Sequence, residues 1–269
     1  MRLPVISTAV ALCLVITSTA AVFAQGQAGG DGLGLPWQVW HSRAEATSTE
    51  ATPLPVATVV RKGPASSRAV ALTFDDGYNG RACASISRTL RRHDAVGTFF
   101  INGVHLKAEP NRWRRILEGM EIANHTRSHR DLKREPHPVV IKQIKQNERL
   151  HEEVLGRPLL KLLRPPYGSY GERVARIAKQ LDYEQLVLWN VDTGDWRPRI
   201  KADTIVRRAT RAPPGSIILM HCARDATARA LPRIVRHYQR RGIEVAGLSE
   251  VIKGVNGGRD KGSIEQEGR

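Results

Sequence analysis

The chain has 269 residues, 25% of them charged, and a formal net charge of +16 at pH 7. Such a balance favours anionic partners, wall polymers or acidic lipid surfaces, with an arginine-heavy composition spread over solvated helix faces as the plainer alternative, and few aromatics lie near the basic runs, which speaks against nucleic acid. Cysteine is scarce and no Cys-x-x-Cys spacing occurs, so a thiolate metal site is excluded.

Taken from the N-terminus, residues 1–25 read as a secretory signal peptide. Arg2 is followed by an apolar stretch through Val15 and Ile16, and Ala24 before Gln25 closes a small-residue cleavage site. The stretch is too short and too rich in Thr, Ser and Ala for a membrane span. A secreted, extracellular protein is expected, at most associated with the cell wall and without stable membrane insertion. Residues 26–64 are rich in Gly, Ala, Thr, Ser and Pro and read as a flexible lead-in; 254–269 read as a disordered tail. The stretch between them, 65–253, is long enough for one domain with a substantial core. Its two cysteines, Cys83 and Cys222, either pair, as an exported chain allows, or serve as separate small buried side chains.

An apolar run from Ala69 ends in Asp75 and Asp76 and is released by Gly77. Inside a regular strand one of two neighbouring carboxylates would enter the core, so the pair belongs at a strand's end, where Gly77 lets the backbone turn. Two carboxylates held so close suit a metal ligand beside a general base, although Asp-Asp-Gly is also ordinary turn chemistry. The periodicity then predicts a helix over 81–93, a strand over 96–101, a helix from Pro110 through Leu117 and a short strand ending near Asn124. The longest helix, 138–155, is expected to turn Val139, Ile141, Ile144 and Leu150 inward. Strands at 159–163, 185–191, 216–220 and 243–246 alternate with helices at 171–181, 202–211 and 226–240. About seven strands in strict alternation predict an α/β fold with a parallel sheet. A distorted (β/α) barrel is preferred over an open doubly wound sheet because polar residues follow the C-terminal ends of several strands.

Those strand-end residues carry the chemistry. His125 and His129, four apart, are expected to share one face of a helical turn and, with one carboxylate, to form a catalytic zinc-type site; a surface pair is the plainer alternative. In 164–168 two prolines and a glycine fix a turn that can hold Arg164 beside Asp75 and present the backbone N–H of Tyr167. Asp192, Asp195 and Trp196 follow the next strand, with Trp196 either core or a sugar-stacking wall. His221 ends the sixth strand, either as a satisfied structural histidine or as the acid of a reaction, tuned by Asp195.

In order, Thr73 to Gly77, His125 to His129, Arg164 to Gly168, Asp195-Trp196 and Leu219 to His221 resemble the motifs of the polysaccharide deacetylase family, the carbohydrate esterase type with a NodB homology domain. The resemblance covers about 69–250. It implies a distorted barrel and a divalent metal, zinc first and cobalt or nickel next, held by Asp76, His125 and His129. It further implies Asp75 as base with Arg164 as its partner, His221 as acid with Asp195 behind it, and Tyr167, Trp196 and Leu219 at the substrate or oxyanion. The implied reaction is metal-assisted removal of N-acetyl groups from peptidoglycan or chitin-like oligomers, releasing acetate; a monomer is expected, although nothing in the sequence reads out the oligomeric state. Removal of O-acetyl groups from a polymer such as acetylxylan, or wall binding without chemistry, are the rival readings. Met120 and Gly194 depart from the family pattern, and the slim Gly194 is expected to widen the groove.

Overall fold

The computed structural model describes residues 55–254, so the expected signal peptide, most of the lead-in and the tail beyond 254 lie outside the described residues. Its elements in chain order are β1 (Thr58–Val60), β2 (Ala69–Asp76), α1 (Gly80–Arg92), β3 (Thr98–Ile101), α2 (Gly103–Ala108), α3 (Pro110–Leu117), β4 (Glu121–Asn124), α4 (His137–Leu155) and β5 (Leu160–Leu163). There follow α5 (Glu172–Gln180), β6 (Gln185–Val187), β7 (Val191–Asp192), α6 (Ala202–Ala209), β8 (Ile217–His221), α7 (Asp225–Arg240), β9 (Glu244–Ala246) and α8 (Leu248–Lys253).

All ladders between these strands are parallel, and the sheet runs β1-β6-β5-β4-β3-β2-β8-β7, with β9 added to the start of β2. β6 and β7 stand near opposite ends of this order yet are consecutive in the chain. Residues 188–190 therefore bring the two ends together, Leu188 N–H donating to Val60 and Asn190 N–H to Ile217. The curled sheet is the distorted barrel, closed by this crossing of chain rather than by a continuous ladder. The single strand expected over 185–191 is thus two short ones. The lead-in is also corrected: Thr58–Val60 is an ordered edge strand on β6, so the domain begins before residue 65.

Every residue of β2 is buried, because the strand is covered on both faces. Val70, Leu72 and Phe74 pack outward into a cluster with Ile86 and Leu90 of α1 and Leu231, Ile234 and Val235 of α7. Ala69 and Ala71 face the interior with Phe100, Ala123, Val187 and Ile217. The alternation puts Thr73 and Asp75 on the interior face, leading to the C-terminal mouth. A disulfide between Cys83 of α1 and Cys222 ties that helix to the end of β8.

α4 departs from the expected facing. Its buried stripe is Val140, Gln143, Ile144, Asn147, His151 and Val154, while Val139, Ile141 and Leu150 are half-buried. Polar residues take the inner face because they satisfy buried loop backbone. Asn147 Nδ2 donates to the Ile101 carbonyl and to Asn124 Oδ1, and Gln143 Oε1 accepts from Ser128 N–H. Buried polar groups need such partners, and apolar periodicity cannot report them.

Candidate active site

Parallel strands deliver their C-terminal residues to one end, and there a cavity of about 570 Å³ is lined by Asp75, Asp76, Tyr78, His125, His129, Tyr167, Trp189, Trp196, Leu219 and His221, among others. Asp75 follows the interior register of β2. Asp76, next in line, would face the helices, but its φ of 76° turns it back toward the mouth, and Gly77 continues the turn at φ 103°. A side chain at Gly77 would meet the Trp113 ring at 3.0 Å, so the turn is closed to other residues.

The two histidines arrive differently from the expectation of a helical turn. Residues 125–129 form an irregular loop, with Thr126 at φ 67° and His129 at φ 56°. Buried hydrogen bonds hold it: Asn102 Nδ2 donates to the His125 carbonyl at 2.7 Å, and Thr126 N–H to Asn124 Oδ1 at 2.8 Å. His125 Nε2 and His129 Nε2 then lie 3.5 and 3.3 Å from Asp76 Oδ1, and one ligand atom from each of the three residues falls within 4.8 Å of the others.

The donor set fits a divalent cation. His125 Nδ1 lies 2.8 Å from the Arg164 carbonyl, which can only accept, so Nδ1 carries the proton and Nε2 presents a lone pair to the cluster. Asp76 Oδ1 is buried without a hydrogen-bond partner. An acceptor imidazole facing an orphaned carboxylate oxygen is the arrangement a cation completes. Burial, with His125 close by, pushes the His129 imidazole down to about 4, which keeps it in the neutral form a metal needs. Burial would raise the Asp76 carboxyl, but the imidazoles of His125, His221 and His129 outweigh it and hold the group below its ordinary value.

Arg164 is fully buried inside the barrel. Its guanidinium donates to Asp75 Oδ1 at 2.6 Å, to Thr73 Oγ1 at 2.9 Å and to the Leu188 and Val187 carbonyls, and it stacks 4.0 Å from the Phe100 ring. Burial pushes its pKa down, against the pull of the Asp75 charge. Asp75 Oδ1 is thereby held in place, and Oδ2 is left 3.8 Å from His125 Nε2.

His221 ends β8 half-buried, with Asp195 fully buried behind it. Asp195 Oδ1 accepts from His221 Nδ1–H at 2.8 Å, while Oδ2 accepts from the His221 backbone N–H at 2.7 Å and from Thr227 Oγ1 at 2.6 Å. Burial alone would lower the imidazole, but Asp195, with Asp75 and Asp76 beyond it, raises it to about 9. The ring is thus protonated at neutral pH, with Nε2 as the atom free to release a proton.

Tyr167 adopts φ 62° in the 3₁₀ turn Pro166–Gly168, its ring edge-on to His129 at 4.5 Å. Its N–H makes no hydrogen bond among the described residues. Trp196 is 47% exposed at the rim, its Nε1 donating to Asp192 Oδ2. Leu219 is buried and lines the cavity floor beside them. Gly194 does not widen the groove: at φ 66° it turns the chain, and the Arg208 guanidinium fills the space beside it. Met120 is buried in the core.

Sequence reading missed two aromatic walls. Trp189 lies in the break between β6 and β7, which the sequence presents as one apolar run; the polar Asn190 within that run was the available signal. Tyr78 is 59% exposed and stands edge-on to His105 at 4.7 Å, an aromatic directly after the glycine release.

A family model described as polysaccharide deacetylase matches residues 62–186. A chitooligosaccharide deacetylase of Bradyrhizobium sp. (strain ANU 289) is 33% identical over 201 residues, covering 68% of this chain and 90% of that protein. The peptidoglycan-N-acetylmuramic acid deacetylase PdaC of Bacillus subtilis (strain 168) is 32% identical over 186 residues, 68% of this chain and 38% of the relative, so the chain spans well under half of that protein's length. Among solved structures, a CE4 family pseudoenzyme from Bacillus anthracis matches with a TM-score of 0.69 at 26% identity, covering 74% of this chain and 70% of the other. Since that likeness includes a pseudoenzyme, the residues of the site, more than the fold, bear on activity.

Proposed function

Because this chain belongs to the polysaccharide deacetylase family, we propose that it is a secreted, metal-dependent N-deacetylase acting on N-acetylglucosamine units of a peptidoglycan or chitin-like polymer. The observation that carries the reading is the meeting of Asp76, His125 and His129 in one cluster, with Asp75 and His221 lining the same cavity. Asp76, His125 and His129 would hold a divalent cation, with zinc the proposed occupant. Bound there, the cation supplies Lewis-acid polarisation of the acetyl carbonyl and a lowered pKa for water.

The chain's own groups supply the remaining steps. Asp75, oriented by Arg164, accepts a proton from the attacking water, and the Tyr167 N–H donates to the developing oxyanion. His221 Nε2 gives its proton to the sugar nitrogen as the carbon–nitrogen bond breaks, leaving acetate and a free amine. Asp195 keeps the proton on Nδ1 and stabilises the imidazolium that must exist before transfer. Tyr167, Trp189, Trp196 and Leu219 form the apolar walls that seat a sugar ring and its acetyl methyl.

Acetate release from chitin oligomers, peptidoglycan and acetylxylan, measured on zinc-loaded protein, tests the reading. Release from an N-acetylated polymer supports it. Release from acetylxylan alone would make the protein an O-deacetylase, and binding without release would make it a wall-binding protein.

A further inference from the structure

The charge of this chain is not spread evenly, and its concentration lies away from the acetyl chemistry. α1, α6 and α7 together contain ten arginines against two acidic residues, Asp203 and Asp225. α4, at 19 residues the longest helix, has three basic and three acidic residues. The three basic helices lie side by side. Asn79 reaches Asp225 at the N-terminal ends of α1 and α7, Gln239 reaches His93 at their C-terminal ends, and Arg233 of α7 pairs with Asp203 of α6.

Along α7 the exposed positions include Arg229, Arg233, Arg236 and Arg240, spaced four, three and four apart. They form one stripe of about 16 Å at 1.5 Å per residue. Helix-terminal dipoles account for Arg91, Arg92 and Arg240, which stand in last turns. They do not account for Arg88, Arg229 and Arg236, which are exposed outside the last turns and have no partner among the described residues. The stripe leads toward the mouth. Just before α7, Arg224 hydrogen-bonds the Trp196 carbonyl and borders the recess formed by Asp76, Tyr78, Trp196, His221 and Ala223.

We propose that the arginine face of α1, α6 and α7 is a docking track for a linear phosphate-bearing polymer, which holds the protein on an anionic matrix with its cavity beside the bound chain. Guanidinium forks match phosphate oxygens, and a row of them along a rigid helix suits a repeating anion better than a single one. The partner is a polymer rather than a membrane because none of the large exposed apolar side chains, Val56, Val59, Tyr78, Val104, Tyr167 and Trp196, lies on these helices, so nothing on the face would enter a bilayer. It is not a single-stranded nucleic acid, because Tyr238, the one Trp, Tyr or Phe on these three helices, is buried, which leaves no large ring on the face for base stacking.

The test uses the full zinc-loaded chain with long-chain inorganic polyphosphate as probe, over a series of salt concentrations. Replacing Arg88→Gln, Arg229→Gln and Arg236→Gln together is expected to weaken binding at least tenfold and to flatten the dependence of affinity on salt, since fewer counterions are released. The charge-matched control Lys142→Gln, Lys145→Gln, Arg149→Gln on α4 should stay within twofold of wild type. The Arg88→Lys, Arg229→Lys, Arg236→Lys protein should keep most of the binding. Turnover of a short neutral N-acetylglucosamine oligomer should be unchanged in all three, which separates this proposal from the acetyl chemistry. Equal losses in the α4 control would reduce the effect to net charge and overturn the track. Tighter binding to phosphatidylglycerol vesicles than to polyphosphate at equal phosphate would overturn the choice of a polymer.

Discussion

Replacing Asp195→Asn puts the assignment of the acid to its sharpest test. Asp195 has no exposure and accepts three hydrogen bonds, two from His221 and one from Thr227. Asparagine has one carbonyl oxygen. If that oxygen keeps the bonds to the His221 N–H and to Thr227, its NH₂ faces Nδ1 and forces the ring into the wrong tautomer. The charge that raises His221 to about 9 against its burial is lost as well. At pH 7.5 a group of pKa 9 is about 97% protonated, and one returned to 6.5 about 10%, so kcat should fall at least tenfold at that pH. The alkaline limb of the pH–rate profile should move down by about two units, with partial recovery at low pH. Stability gives a second readout on metal-free protein. Because the folded pKa lies above the unfolded one, the His221 contribution is fully present below about 6.5 and is lost as pH rises through about 9, a span worth about 3 kcal/mol. Wild-type protein should therefore lose stability across that window in urea titrations, and Asp195→Asn should not. An Asp195→Asn enzyme with an unmoved alkaline limb would refute the role given to His221.

Other consequences follow from the same geometry. Asp75→Asn should retain zinc in isothermal titration yet lose turnover by a hundredfold or more, whereas His125→Ala should lose both; full activity in Asp75→Asn would remove the base. Arg164→Met leaves the Asp75 carboxylate buried without its partner and should cost about 3–5 kcal/mol in urea unfolding. Cys83→Ser, or reduction of the wild-type bridge, should cost about 2–5 kcal/mol by the same measurement, since the disulfide closes a span of 139 residues. Trp196→Ala and Tyr78→Ala should each raise KM roughly three- to tenfold with kcat little changed, as expected for rings that stack on substrate.

Length, strand–helix alternation and the acidic strand end were legible in the sequence because they depend on local periodicity and on the chemistry of adjacent residues. The parallel sheet follows from alternation, its closure into a barrel from the polar residues after the strand ends, and the candidate cluster from five short motifs whose order along the chain is itself a signal. Other features depended on contacts between distant segments. The loop carrying His125 and His129 takes its shape from Asn102 and Asn124, and α4 turns Gln143 and Asn147 inward to meet buried backbone. Trp189 reaches the cavity only because the chain crosses from β6 to β7 to close the sheet. Sequence therefore marked most of the strands and the candidate residues at their ends, but not β1, the break between β6 and β7, or the cavity rings of Tyr78 and Trp189. Tertiary structure decided how those residues converge, because buried polar groups take whatever partners the fold brings within hydrogen-bond reach, and a linear pattern does not encode that distance.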